Sequence, residues 1–144
     1  MPGKVFSAPK VTVNSVDLST WCDKATVTLS LGSADITTFG ATNSMKAPTL
    51  GDAVITCDFF TDYATSGPNQ TLSTMFTNSR NNITGTVEII PVGATAVSAT
   101  NPRITMPAAF LMNYTGGDFA VADASKFSAE FQNGGTAGIT FGTV

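Results

Sequence analysis

Between residues 53 and 60 apolar and polar positions alternate. Ala53, Ile55, Cys57 and Phe59 fall on one face, and Val54, Thr56, Asp58 and Phe60 on the other. A period of two marks a half-buried strand. Past the turn residues Ser66, Gly67, Pro68 and Asn69 the period changes. Leu72, Met75, Phe76 and Ser79 stand at i, i+3, i+4 and i+7, one stripe of an amphipathic helix over about 69–81. Asn69 is its expected N-cap, and Arg80 suits the negative end of the helix dipole. A helix of about three turns is not stable alone in water, so its stripe is expected to lie on a sheet. Alternation returns over 83–92, where Gly85, Val87 and Ile89 oppose Thr84, Thr86, Glu88 and Ile90.

The flanking segments carry no helical period. Strands are expected over 10–14 (Val11 and Val13 on one face), over 16–21 with Val16 and Leu18 inward, and over 25–31 with Ala25, Val27, Leu29 and Leu31 inward. Trp21 reads as a core or rim anchor. Further strands cover 103–114, 126–132 with Phe127, Ala129 and Phe131 on one face, and a last short piece with Ile139 and Phe141. Pro107 cannot donate to a ladder, so its strand must have an edge or a bulge there. Asn133-Gly134-Gly135 reads as a hairpin turn, 115–118 as another turn, and 93–102 as a connecting loop. Seven or eight strands with turns between them indicate a mainly β domain: a two-sheet antiparallel β-sandwich or barrel with one short flanking α-helix.

Two stretches fit no regular element. Residues 1–9 are expected to be a flexible or inter-subunit arm. Residues 40–50 hold Gly40 and Pro48, bury little, and are expected to form a long loop. Such loops are uncommon in compact domains and are usually functional or mobile. The segment is either a surface hairpin or an arm that orders against a neighbouring subunit. In the second case Phe39, Met45, Lys46 and Leu50 are the inter-subunit contacts.

Composition narrows the function. At 144 residues the chain is one domain, and its 42% hydrophobic share supplies a core. Charged residues make up 12%, against about 25% in an ordinary domain, which suits a surface later covered by other subunits. Seven Lys and Arg against ten Asp and Glu give a net charge of −3, and the cations are scattered. A dedicated nucleic-acid binder needs clustered cations, so that class is excluded. The absence of histidine removes the commonest general base and metal ligand. Asp58 and Asp62 are close in sequence but read as ordinary solvated carboxylates. No phosphate loop or calcium loop is present, so neither an enzyme nor a cofactor or metal site is expected. Cys22 and Cys57 fit no metal spacing and read as small buried residues, with a bridge as the alternative. Neither a signal peptide nor an apolar run of about 20 residues is read.

Several segments, taken in order, carry a resemblance. They are Asp35-Ile36-Thr37-Thr38-Phe39-Gly40, Leu50-Gly51-Asp52, the strand ending Phe59-Phe60-Thr61-Asp62, the helix around Leu72 and Phe76, the connector 96–102, and the strand–Gly–strand after Lys126. Over about 17–141 this succession resembles the major tail tube proteins of long-tailed bacteriophages. The chain departs from that family between Gly40 and Leu50, where Ala41-Thr42-Asn43-Ser44-Met45-Lys46-Ala47-Pro48 replaces basic residues and a glycine. The resemblance implies a structural virion protein of the tail, assembled in the host cytoplasm. Six copies would form a ring around a central hole, and rings would stack with the long loop reaching the next ring. Other tail proteins would meet the tube ends, and double-stranded DNA would pass through the lumen without specific binding. Acidic residues along such a lumen repel phosphate, and Asp35, Asp58, Glu88, Asp118 and Glu130 are the candidates. Two rivals stay open, a capsid decoration or other virion β domain and a secreted adhesion-type β module.

Overall fold

The structure is a computed structural model that describes residues 8–116, 119 and 124–144. Its elements in chain order are β1 (Lys10–Val13), β2 (Val16–Asp17), β3 (Cys22–Asp35), β4 (Lys46–Phe60), α1 (Pro68–Arg80), β5 (Gly85–Ile90), β6 (Arg103–Tyr114), β7 (Lys126–Asn133) and β8 (Thr140–Gly142). The mainly β fold with a flanking helix is as expected. Among the described residues the strands form one continuous eight-stranded sheet rather than two separate ones, in the order β2-β1-β5-β6-β7-β4-β3 with β8 on β6. Every pairing is antiparallel.

That sheet is rolled. The chain leaves β2 at one end of the order and enters β3 at the other through residues 18–21 alone. The five steps from Asp17 to Cys22 reach at most about 18 Å, so the two ends of the sheet are neighbours. Leu18 N–H donates to the Val11 carbonyl (2.9 Å), and Phe60 N–H donates to the Trp21 carbonyl (2.8 Å). Inside lies one apolar cluster that joins β1 to β4, including Val11, Val13, Ile55, Phe59, Val87, Met106 and Phe131.

The helix closes the open side of the roll. It starts one residue early because Pro68 occupies the first turn, where its missing N–H and fixed φ cost nothing. Gly67, not Asn69, is therefore the N-cap. Asn69 is buried instead and ties loops together: its Oδ1 accepts Asp62 N–H (2.8 Å) and its Nδ2 donates to the Gly116 carbonyl (3.1 Å). The expected stripe is the packed face, with Leu72 and Met75 buried and Phe76 against Tyr114. Ser79 Oγ donates to the Met75 carbonyl and accepts Leu111 N–H, both at 2.9 Å, which stitches α1 to β6. Pro107 sits at a bulge as required. Val87 pairs with Met106 and Gly85 with Ala109, which leaves Pro107 and Ala108 opposite Thr86 alone.

The expected loop over 40–50 is shorter and lies earlier in the chain. Strand β4 begins at Lys46, and β3 pairs with it to Asp35, so the connection is 36–45. Pro48 and the scarcity of apolar residues disguise a strand that neither face buries. Leu29 and Leu31 were expected inward; they are exposed, because the pairing of β7 with β4 stops at Val54 and no described strand continues beside the hairpin beyond it. The expected arm lies outside the described residues over 1–7. Residues 117 and 118 of the expected turn lie outside them too, and with them the lumen candidate Asp118.

Candidate inter-subunit surface

Beyond the Leu29–Ala53 pair the β3–β4 hairpin is a two-stranded ribbon with neither edge paired to a further strand among the described residues. An open edge of this length is a template for another strand. A bulge between Leu31 and Ser33 bends the ribbon. Gly32 sits inside that bulge, where a Cβ would collide with the Thr49 side chain. The ribbon carries Leu31 at 71% and Leu50 at 90% exposure, which ordinary strands hide. Leu29, Leu31, Leu50, Ala53, Ala137 and Ile139 line an open apolar groove between the ribbon and the chain before β8.

The tip is held by its own hydrogen bonds. Ile36 N–H donates to the Met45 carbonyl (3.0 Å), Met45 N–H to Thr37 Oγ1 (2.8 Å), and Ala41 N–H to the Thr38 carbonyl (3.0 Å). Asp35 accepts Thr37 N–H at 2.9 Å and pairs with Lys46 at 3.2 Å. The Thr37 hydrogen bonds, then Lys46, hold its carboxyl below the ordinary aspartate value. Phe39 projects fully into solvent.

All four sequence-derived contact residues lie on this one protruding element. Phe39 is at the tip, Met45 is where the tip rejoins the ladder, Lys46 opens β4, and Leu50 is exposed on the ribbon. Leu29 and Leu31, expected inward, are exposed on the same element. Their alternation is plain in the sequence, but only the pairing register shows where their cover stops. The two weighed carboxylates have structural work. Asp58 accepts Ser128 Oγ (2.7 Å), while Asp62 accepts Trp21 Nε1–H (2.9 Å) and Ala64 N–H (2.8 Å). Glu88 pairs with Arg103 at 3.3 Å, and Lys126 with Asp23 at 3.1 Å. Among the described residues no helix is long and apolar enough to cross a membrane.

No family model and no curated protein matches the sequence. Solved structures do share the fold, among them chains of tails, of a tail tube and of a sheath–tube complex. A chain of the SPP1 tail tube matches with a TM-score of 0.66 at 9% identity, covering 99% of this chain and 80% of that one. A chain of the sheath–tube complex of the PVC extracellular contractile injection system in its extended state matches at 0.65 and 13% identity, over 99% and 93%. A chain of the tail of an empty gene transfer agent particle, of C6 symmetry, matches at 0.61 and 9%, over 93% of each chain. The chain thus has the tail-tube fold over nearly its whole length, and that fold serves contractile and other assemblies alike.

Proposed function

We propose that this protein is the structural subunit of a tail tube. Copies join side by side into rings around a central hole, and the rings stack into a conduit for viral DNA. The observation that carries this reading is the uncovered apolar alternation of Leu29 and Leu31 on β3, on a ribbon that also leaves Leu50 of β4 exposed. Within one chain those leucines gain nothing, whereas a second copy beside the ribbon would bury them and pair its edges. A contact between two different patches of identical chains closes into a ring when its rotation divides a full turn. Six copies is the proposed number, in keeping with the C6 symmetry of the gene transfer agent tail that shares the fold. Phe39, Met45 and Lys46 are the proposed contacts to the next ring, and Leu50 to a neighbour along the ribbon.

The proposed lumen wall is the outward face of β3, β4 and β7. Register places Thr28, Val54 and Gln132 in one row, Thr26, Thr56 and Glu130 in the next, and Lys24, Asp58 and Ser128 in a third. In these rows Lys24 stands among Asp58 and Glu130, so the surface offers phosphates no clustered cations and DNA slides past it. Proteins of the tube ends are the proposed further partners, and no catalytic step is assigned.

Negative-stain microscopy of concentrated protein is the test, and rings or tubes of uniform bore are expected. Replacing residues 38–43 by two glycines keeps the Asp35–Lys46 pairing and should leave a folded subunit that no longer stacks. Wild-type protein that stays monomeric or trimeric would defeat the tube reading in favour of an adhesion or decoration module. Intact tubes from the tip variant would defeat only the role of the tip.

A further inference from the structure

Cys57 is fully buried on the core side of β4, opposite Ala25 of β3. Counted back from Ala25 in unbroken register, Cys22 would stand opposite Phe60, on the outward face. The bulge between Cys22 and Lys24 changes that. It sets Cys22 opposite Phe59 instead, which turns it to the core side. Phe59 and Cys57 are two residues apart and share that face, so Cys22 and Cys57 are diagonal neighbours on one ladder. Both thiols are free, and Cys22 Sγ donates to the Lys24 carbonyl at 3.5 Å. Cys22 is only half-buried, at the start of an edge strand that small molecules can approach.

We propose that Cys22 and Cys57 are a dithiol site for small-molecule disulfides, which closes into a cross-link at the base of the β3–β4 hairpin. Cys22 is the attacking sulfur. Its hydrogen bond with Cys57 lowers its pKa, which raises its thiolate fraction. The same bond, with burial, pushes the Cys57 thiol well above the ordinary value. In the first step Cys22 gives its proton to solvent, and its sulfur attacks one sulfur of the reagent. The reagent's S–S bond breaks and one thiolate leaves. In the second step Cys57 attacks Cys22 Sγ, and the displaced second thiolate carries the Cys57 proton out to solvent. Two protons and two electrons leave the protein, and the reagent is reduced to two thiolates. A subunit made in a reducing compartment would gain this link once outside it. The link would fasten the hairpin where it leaves the body, with the ribbon left free. The site stands whether or not the chain builds tubes.

The test treats the folded, fully reduced chain with dithiobis-nitrobenzoate. Two equivalents of thionitrobenzoate should be released per chain, with an intact mass lower by two hydrogens and a peptide map joining Cys22 to Cys57. Cys57→Ser should release one equivalent and keep the adduct on Cys22. A stable adduct on wild-type Cys22, a link between chains, or no reaction before unfolding would each overturn the proposal.

Discussion

Phe39→Ala separates folding from assembly. The side chain projects wholly into solvent, so its removal deprives the isolated subunit of no packing. Exposed substitutions away from caps and strained backbone change stability by less than about 0.5 kcal/mol. If Phe39 is seated in a neighbouring copy, truncation forfeits the burial of an aromatic side chain, about 2 kcal/mol. That corresponds to roughly a thirtyfold rise in the subunit concentration needed for assembly. The tip backbone should persist, because the bonds among Ile36, Thr37, Met45, Thr38 and Ala41 do not use the ring. Denaturant unfolding of dilute subunit and sedimentation across a concentration series measure the two quantities on one preparation. An unchanged midpoint with a raised assembly threshold is expected. An unchanged threshold would refute the contact assigned to Phe39. A large fall in the midpoint would show that the tip packs within its own chain.

Other substitutions probe the frame that carries the ribbon. Ser79→Ala leaves Leu111 N–H without its acceptor and should cost about 1–3 kcal/mol in denaturant unfolding; an unchanged midpoint would mean that α1 is not stitched to β6. Asn101 is buried, accepts Val92 N–H, and donates to the carbonyls of Val92, Thr95 and Ala96. Asn101→Ala should destabilise by about 2–3 kcal/mol and raise amide exchange over 92–101; exchange that stays slow would contradict its role as the plug of that loop. Asp17 is held below its ordinary pKa chiefly by Ser19 Oγ. Its folded pKa is depressed, so its contribution is present above the unfolded value and is lost as pH falls through the folded one. Stability should therefore fall less steeply in acid for Asp17→Asn than for wild type, and equal slopes would remove Asp17 from the account.

Legibility in the sequence followed burial. Where one face is covered, as in 53–60, 126–132 and the stripe Leu72-Met75-Phe76, periodicity located the covered stretches to within a residue or two. Where neither face is covered, as in 46–52, a strand carried no strand signature and read as loop. Closure of the sheet was hidden for another reason: it rests on the Trp21 carbonyl accepting Phe60 N–H of β4, a contact between segments far apart in the chain. Gly67 displaced Asn69 as cap because Pro68 favours the first helical position, a local rule that outweighs the side-chain preference. The residues proposed as contacts drew notice for different reasons. Phe39, Met45 and Leu50 stood out as apolar residues in a stretch with little to bury. Leu29 and Leu31 looked like core because alternation says which face a residue takes, not whether anything lies against it.

The most direct measurement is an image reconstruction of the particle formed by purified protein. A hollow ring stack is predicted, with Leu29, Leu31 and Leu50 buried against a second copy and Phe39 touching the next ring. A monomer whose ribbon stands in solvent at every concentration, or an assembly in which those leucines remain exposed, would contradict it.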